Sequence, residues 1–298
     1  MKDTAPPGMY VTFWGTRGSI STPGYATEKY GGNTPCVSVA CGNTTVIIDA
    51  GTGIRNLGIE LAEKAKKEGT DLDLHLLLSH THWDHIQGLP YFAPAYRPNT
   101  RLTIYGSPKK ESFLESILRG QMDMNYFPVN LNALAADMSI IEFSEPAIEI
   151  GPVKVEWQEQ VSHPGGSVRY RLSVGEKTAV YASDIELDGM LSPDASTDDP
   201  KPADQYREFI RGCDLLVADA QYTPEEYRDR KGWGHSSIPT VLDVAYEQGV
   251  KQLALFHHEP QHSDVQLDKL AVRYARGYAS LEPPMAVFWA REGMTLEI

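Results

Sequence analysis

The chain has 298 residues, 41% of them hydrophobic, so it is long enough to bury a sizeable core. Its 27 Lys and Arg residues against 40 Asp and Glu residues give a net charge of −13, which opposes binding to a long polyanion such as nucleic acid. Three cysteines argue against a disulfide framework, and neither a secretory apolar segment in residues 1–15 nor a long apolar span is present. The composition predicts a single cytoplasmic domain over residues 1–298, with no membrane attachment.

The first two predicted strands each end in a glycine-containing turn. Residues 10–14 form the first, followed by the segment 15–19, which holds Arg17 between small residues. Such residues let backbone amides approach an anion, and Arg17 could reach a phosphate, although a solvated loop arginine explains it equally well. Residues 45–48 form the second strand, which runs into Asp49 and Gly51.

The segment 79–85, Ser-His-Thr-His-Trp-Asp-His, directly follows the apolar run 74–78. Strand exits are where α/β folds place their chemistry, because the sheet fixes the backbone while the loop stays open to solvent. His80 and His82 can point to the same side of an extended segment and share one cation. Asp84 and His85 are offset by the turn and suit a second cation beside it. The sequence therefore predicts a metal site here.

Three further candidate ligands follow predicted strands. His163 comes after residues 153–161, Asp184 after residues 177–182, and His257 with His258 after residues 253–256. Loops at the carboxyl ends of separate strands can converge, although His163 could instead belong to a plain turn and Asp184 could cap the next segment. An imidazole-rich ligand set favours Zn²⁺ and leaves Mn²⁺ or Fe²⁺ open.

The segment 232–237, Gly-Trp-Gly-His-Ser-Ser, precedes a predicted helix over residues 238–248. Ser236 and Ser237 could cap that helix. His235 lies 22 residues before His257, with one helix and one strand between them. An imidazole has a pKa near working pH, which suits a general acid at this position.

The His-x-His-x-Asp-His pattern of residues 80–85 resembles the signature of the metallo-β-lactamase superfamily. The resemblance implies an α/β fold, a four-layer αββα sandwich with a dinuclear metal site at one edge of its two sheets. It implies two divalent cations, with Zn²⁺ preferred and Mn²⁺ as the alternative, and Asp49 as a support behind the ligands. One cation would bind His80, His82 and His163, the other would bind Asp84, His85 and His257, and Asp184 would bridge them. The family's Thr-His ending after a Leu-rich strand maps onto the Phe-His pair at 256–257, which favours His257 over His258.

The Gly-His-Ser segment 234–236 resembles the phosphodiesterase branch of that superfamily, which includes the tRNA 3′-processing endonuclease RNase Z. In that branch the histidine binds the scissile phosphate or protonates the leaving oxygen, which implies a catalytic role for His235. Substrate contacts would come from His235, Ser236 and Arg17. Residues 13–32 and 80–85 most resemble small-molecule cyclic phosphodiesterases of this branch, whose members are often dimers, so a homodimer is compatible with the resemblance.

The connection between His163 and Asp184 narrows the expected substrate. RNase Z carries a basic-tipped arm for tRNA between these two ligands, and here the interval spans only a strand hairpin. We therefore expect a dinuclear-metal phosphodiesterase that hydrolyses a small phosphodiester, a 3′,5′-cyclic nucleotide or a related cyclic phosphate. Two cations would activate water and neutralise phosphoryl charge, Asp84 would orient the nucleophile or take its proton, and His235 would protonate the leaving oxygen.

Other functions remain open, and the sequence contains two possible insertions. The same metals could serve an RNase Z-like endonuclease, a lactonase or thioesterase, or, outside enzymes, a cyclic-nucleotide-binding sensor. Residues 120–136 could form a mobile lid or an ordinary surface helix and loop, and the Asp- and Pro-rich residues 186–204 read as an exposed loop. Tyr126, Phe127 and Trp233 are candidates for stacking against a base.

Overall fold

Two seven-stranded sheets form the centre of the molecule. The computed structural model describes residues 8–107, 113–191 and 201–298. The strands within these ranges are β1 (Met9–Gly15), β2 (Cys36–Cys41), β3 (Thr44–Ile48), β4 (Leu72–Leu77), β5 (Thr100–Gly106), β6 (Asp137–Glu142), β7 (Ala147–Ile150), β8 (Val153–Gln160), β9 (Ser167–Val174), β10 (Lys177–Ala182), β11 (Leu215–Asp219), β12 (Gln252–Phe256), β13 (Ala286–Trp289) and β14 (Thr295–Glu297).

Helices connect these strands and cover the outer faces of the sheets. They are α1 (Ile54–Glu68), α2 (Trp83–Ile86), α3 (Leu114–Gln121), α4 (Leu187–Leu191), α5 (Lys201–Ile210), α6 (Pro224–Arg228), α7 (Ile238–Glu247) and α8 (Asp264–Tyr274). Short 3₁₀ turns occur at Leu89–Tyr91, Ala93–Tyr96, Leu131–Ala133 and Tyr278–Ser280. No helix in the described parts of the chain is long and apolar enough to cross a membrane.

Each sheet has an antiparallel half and a parallel half. The first sheet has the order β14-β1-β2-β3-β4-β5-β6, with β3 to β6 parallel, and the second has the order β13-β12-β11-β10-β9-β8-β7, with β10 to β13 parallel. Parallel strands all present their carboxyl ends at the same sheet edge, where α/β folds keep their sites. The loops after β3, β4, β10, β11 and β12 therefore leave the sheets at a shared edge.

Three apolar clusters define four layers. One lies between the sheets and joins residues such as Val39 of β2 to Tyr170 of β9. A second packs α5, α7 and α8 against the outer face of the second sheet, and a third packs α1 and α3 against the first. In α7 the buried side chains recur at helical spacing, for example Ile238, Val241 and Leu242. The predicted αββα sandwich is confirmed.

The element predictions hold to within a few residues, with one error. The strands predicted at 45–48, 177–182 and 253–256 and the helix at 238–248 are β3, β10, β12 and α7. The reading of residues 186–204 as an exposed loop is wrong where the structure describes them. Glu186 and Leu187 are buried, α4 follows at once, and α5 begins at Lys201, while residues 192–200 lie outside the described ranges.

Candidate metal centre

The structure brings all seven predicted ligands together at the shared edge. His80 and His82 lie in the loop after β4, and the short helix α2 contains Asp84 and His85. The other three follow strands of the second sheet: His163 after β8, Asp184 after β10 and His257 after β12. The centre therefore joins the two sheets of the sandwich.

The ligand atoms fall into two groups. The three-histidine group consists of His80, His82 and His163, and the mixed group consists of Asp84, His85, Asp184 and His257; within each group the ligand atoms lie within 4.8 Å of one another. In the three-histidine group, His82 Nδ1 is 3.0 Å from His163 Nε2. In the mixed group, Asp84 Oδ2 is 3.4 Å from His85 Nε2 and 3.2 Å from His257 Nε2.

Asp184 stands between the two groups. Its Oδ2 is 3.2 Å from His85 Nε2, and its Oδ1 is 3.4 Å from His257 Nε2. The same Oδ1 lies 3.8 Å from His80 Nε2 and 4.0 Å from His163 Nε2. A carboxylate with access to both groups is suited to the bridging position.

Two observations show that these residues fit divalent cations. The buried Nε2 atoms of His80 and His85 have no hydrogen-bond partner among the described residues, an arrangement that is costly unless another species binds them. The donor separations in the mixed group also match the edge of a coordination tetrahedron, which is about 3.3 Å for metal–ligand bonds of about 2.0–2.1 Å. The site therefore has the donors and the spacing that a metal requires.

Strained backbone concentrates at the centre. In the described chain, the non-glycine residues with positive φ are Ser19, Asp49, Asp184 and His257, at 60°, 61°, 57° and 58°. Non-glycine residues rarely adopt this backbone conformation, and it persists where surrounding contacts enforce it. Two of the four are proposed ligands, Ser19 donates its backbone N–H to Asp84 Oδ2 at 2.8 Å, and Asp49 contacts a ligand directly.

Asp49 supports the mixed group through its contact with the His85 ring. Its Oδ2 is 2.8 Å from His85 Nδ1 and also accepts from Ser79 Oγ and Tyr181 Oη, while its Oδ1 accepts from the Ser79 N–H. These bonds orient the His85 ring so that Nε2 faces the other donors. Such partners fix a ligand imidazole's tautomer and orientation.

Burial and neighbouring charge divide the imidazoles by protonation state. Burial lowers the pKa of each member of the three-histidine group, so these rings are neutral and ready to bind a cation. Burial also acts to lower the pKa of His85 and His257, but the Asp184 and Asp84 carboxylates outweigh it. The pKa of His85 lies well above its ordinary value, and the pKa of His257 is raised to about 9. The mixed group therefore holds protons that a cation would displace.

Two polar residues that the sequence reasoning missed orient His235 and His257. Asp219 Oδ2 lies 2.6 Å from His235 Nδ1, and its Oδ1 accepts from the N–H of Gln221. Gln221 Oε1 is 3.0 Å from His257 Nδ1, while its Nε2 donates to Glu259. Asp219 ends the apolar strand β11 as Asp184 follows β10, so the same strand-exit pattern could have identified it.

His235 lies beside the ligands and is held at its Nδ1 edge. It stacks on His257 with ring centroids 4.9 Å apart and lies 5.4 Å from the His163 ring. Because Asp219 occupies Nδ1, the Nε2 atom is the one available to a substrate.

Arg17 and Ser236 are not placed as substrate contacts. The Arg17 side chain is fully buried and donates to the backbone carbonyls of Gly31, Glu259 and His262, so its guanidinium holds loops together instead of facing a phosphate. Ser236 Oγ donates to the Ile185 carbonyl and accepts from the Leu187 N–H, so it also serves the backbone. Substrate contact by Ser236 would require breaking these bonds, and the Arg17 guanidinium, including an Nη2 that has no partner among the described residues, is buried.

The remaining histidines lie outside the centre. His258 Nε2 bonds the Ala290 carbonyl at 2.8 Å, so of the two adjacent histidines it is His257 that joins the mixed group.

Ser237 is the residue at the start of α7, and its side chain makes no capping bond to the helix backbone.

Comparison with known proteins identifies the family. The profile described as "Beta-lactamase superfamily domain" matches residues 44–258. Ribonuclease Z of Haloarcula marismortui is 25% identical over 280 residues, covering 84% of this chain and 86% of that protein. Among solved structures, the metallo-beta-lactamase fold protein YhfI of Bacillus subtilis has a TM-score of 0.64 at 19% identity, covering 98% of this chain and 100% of that one. Human tRNase Z, short form, has a TM-score of 0.61 at 16% identity, covering 96% and 98%.

The chain therefore belongs to the metallo-β-lactamase superfamily, in its phosphodiesterase and RNase Z-like branch. All seven candidate ligands lie within the residues that the family profile matches.

Proposed function

We propose that the protein is a dinuclear-metal phosphodiesterase that hydrolyses a small phosphodiester, a 3′,5′-cyclic nucleotide or a related cyclic phosphate. The observation that carries this choice is the short connection between His163 and Asp184. Strands β9 and β10 pair directly, with Lys177 opposite Val174, and only Gly175 and Glu176 form the tip. A hairpin turn that carries the acidic Glu176 would bind a long polyanion poorly.

Charge and exposed aromatic residues support the same choice. The net charge of −13 disfavours a partner with many phosphates, whereas a single diester can be held by metals alone. Trp83 and Trp233 are 72% and 60% exposed and lie next in sequence to His82 and Gly234. Because both neighbours contact His163, the indoles are available beside the centre to stack on a base.

The residues around the centre divide the reaction between them. Two divalent cations on the two groups would activate water as the nucleophile and neutralise charge on the phosphoryl oxygens. Asp84, a carboxylate whose pKa lies below its usual range because the imidazoles of His85 and His257 outweigh the effect of burial, would orient the water or take its proton. His235 gives a proton from Nε2 to the leaving oxygen, while Asp219 holds Nδ1 and fixes the orientation of the ring.

The identity of the metals also belongs to the proposal. An imidazole-rich donor set with two carboxylates favours Zn²⁺, and Mn²⁺ accepts the same ligands. A cytoplasmic location and a homodimer remain predictions.

A second candidate function is endonucleolytic processing of tRNA. It is favoured by the curated relatives, because Ribonuclease Z proteins such as that of Haloarcula marismortui match most of this chain. The two candidates share the metals and the general acid and differ in what holds the substrate.

A substrate panel distinguishes them. The protein, loaded with Zn²⁺ or Mn²⁺, is assayed on 3′,5′- and 2′,3′-cyclic nucleotides, bis(p-nitrophenyl) phosphate and precursor tRNA, beside a His235→Ala variant. Hydrolysis of 3′,5′-cyclic nucleotides that is lost in the variant supports the proposal. Cleavage of precursor tRNA without activity on cyclic nucleotides would refute it in favour of the second candidate.

A further inference from the structure

The segment 185–188, which follows the bridging carboxylate, is bonded along its length to the loop that carries His235. Ile185 and Leu187 bond Ser236 through their backbone groups, with distances of 2.6 Å and 3.0 Å. Asp188 accepts from the N–H and hydroxyl of Ser237. The buried Glu186 lies between these contacts, in a stretch of sequence with the composition of a surface loop.

We propose that Glu186 is a positioning residue, which fixes His163 and His235 together by holding the backbone of Gly232 and Gly234. Its Oε1 accepts the Gly232 N–H at 2.9 Å and the Tyr227 hydroxyl at 2.7 Å, and its Oε2 accepts the Gly234 N–H at 2.9 Å. This inference rests on the metal-ligand assignment of the proposed function and adds a residue that neither binds metal nor touches substrate.

The bonds to Gly234 connect Glu186 to both histidines. The carbonyl of Gly234 is 3.1 Å from His163 Nδ1, so it holds the ring with Nε2 turned toward the other ligands. Gly234 adopts φ of +89°, and a Cβ at this residue would lie 2.2 Å from His163 Nδ1. Its backbone can contact the ligand so closely only because it has no side chain. The next residue is His235, so a displacement of Gly234 moves the metal ligand and the general acid at once.

Gln in place of Glu186 removes this function with little change in size. A carboxylate offers acceptors to both glycine amides, whereas the amide of Gln offers one oxygen and places an NH₂ donor against one of the two N–H groups. The partners of a metal-bound histidine typically contribute about 10–100-fold to metal affinity or activity. We expect losses of that size for Glu186→Gln in kcat and in metal affinity at the three-histidine group, with KM changed by less than about threefold.

Metal titration of the cation-free protein tests this without any substrate. Zn²⁺ is titrated against a chromophoric chelator, and His163→Ala shows which binding step belongs to the three-histidine group. Glu186→Gln should weaken that step and leave the other within about threefold. Glu186→Asp keeps the charge but is one methylene shorter, and we expect it to weaken the same step. kcat and KM are then measured on bis(p-nitrophenyl) phosphate, which does not presuppose the natural substrate.

Two controls separate positioning from general stability. Asp188→Asn removes bonds from the same segment without touching Gly232 or Gly234, so it should lower the unfolding temperature and spare the metal step. Tyr227→Phe removes one bond from Glu186 and should cause a smaller change than Glu186→Gln. The proposal would be overturned if Glu186→Gln or Glu186→Asp bound metal as tightly as the wild type. It would also be overturned if Asp188→Asn lost as much metal affinity as Glu186→Gln. A wild-type protein that binds no Zn²⁺ would instead reject the metal assignment itself.

Discussion

The contact between Asp219 and His235 leads to a prediction that depends on the leaving group. Asp219 is fully buried, and its 2.6 Å bond to Nδ1 fixes the orientation of the ring that must give a proton from Nε2. In Asp219→Asn, an amide NH₂ has to face either His235 or the backbone donors of Gln221 and Ser236 that Oδ1 now accepts. In either orientation, one of the groups that the carboxylate now accepts from loses its acceptor.

The expected loss follows from the value of a general acid. Proton transfer by a positioned side chain contributes about 10²–10⁴-fold, equivalent to about 3–5 kcal/mol of barrier. We expect Asp219→Asn to lower kcat on a 3′,5′-cyclic nucleotide by this amount, because an alkoxide is a poor leaving group without a proton. p-Nitrophenolate leaves without protonation, so the loss on bis(p-nitrophenyl) phosphate should stay below about tenfold.

Steady-state kinetics on the two substrates, with His235→Ala as the reference, measures this difference. Metal content is determined in parallel, because Asp219 Oδ2 also lies 3.8 Å from His257 Nδ1. An equal loss on both substrates with full metal content would refute the assignment of Asp219 and His235 as the acid pair.

Three further predictions concern metals, glycine and the buried arginine. Because the pKa values of His85 and His257 are raised in the cation-free protein, the latter to about 9, a cation must displace their protons. Zn²⁺ affinity should therefore fall as pH drops from 9 to 6, and calorimetry at pH 7 in buffers of different ionisation enthalpy should detect proton release; its absence would contradict the assigned pKa shifts. Gly234→Ala should abolish activity and weaken metal binding. Gly232 has φ of +81° but open space around a Cβ, so Gly232→Ala should lower the unfolding free energy by only about 1–2 kcal/mol. Equal effects of the two variants would argue against a steric contact at Gly234. Arg17→Lys should lower the free energy of unfolding by about 2–4 kcal/mol in chemical denaturation and leave KM within about twofold, while a selective rise in KM would restore the substrate role.

The fold and the clustering of the candidate ligands were predictable because both depend on short-range patterns. Apolar runs of strand length ending in His or Asp mark β4, β10 and β12, and the carboxyl ends of parallel strands have to meet at one edge. The His80 to His85 pattern then identified the family, and the family implied how the ligands pair. Asp219 follows the same rule, so the sequence could have identified it as a candidate site residue.

Arg17 and Glu186 were not predictable because their partners are backbone groups far along the chain. Arg17 bonds carbonyls 242 and 245 residues away, and Glu186 bonds amides 46 and 48 residues away. Sequence patterns describe side chains, and they give no sign that a distant loop will present unpaired N–H or C=O groups. A charged residue that satisfies such groups therefore looks like a surface residue until the tertiary structure is known.

The four left-handed residues also bear on how this protein could change over time. A non-glycine residue in that conformation costs about 1–3 kcal/mol, and here the cost falls on Ser19, Asp49, Asp184 and His257. Glycine in place of Ser19 would relieve this cost and keep the backbone N–H bond to Asp84, whereas glycine in place of Asp49 would leave the buried donors of Ser79 and Tyr181 without an acceptor. The strained conformation at Asp49, Asp184 and His257 is therefore tied to the side chains that these positions supply to the centre.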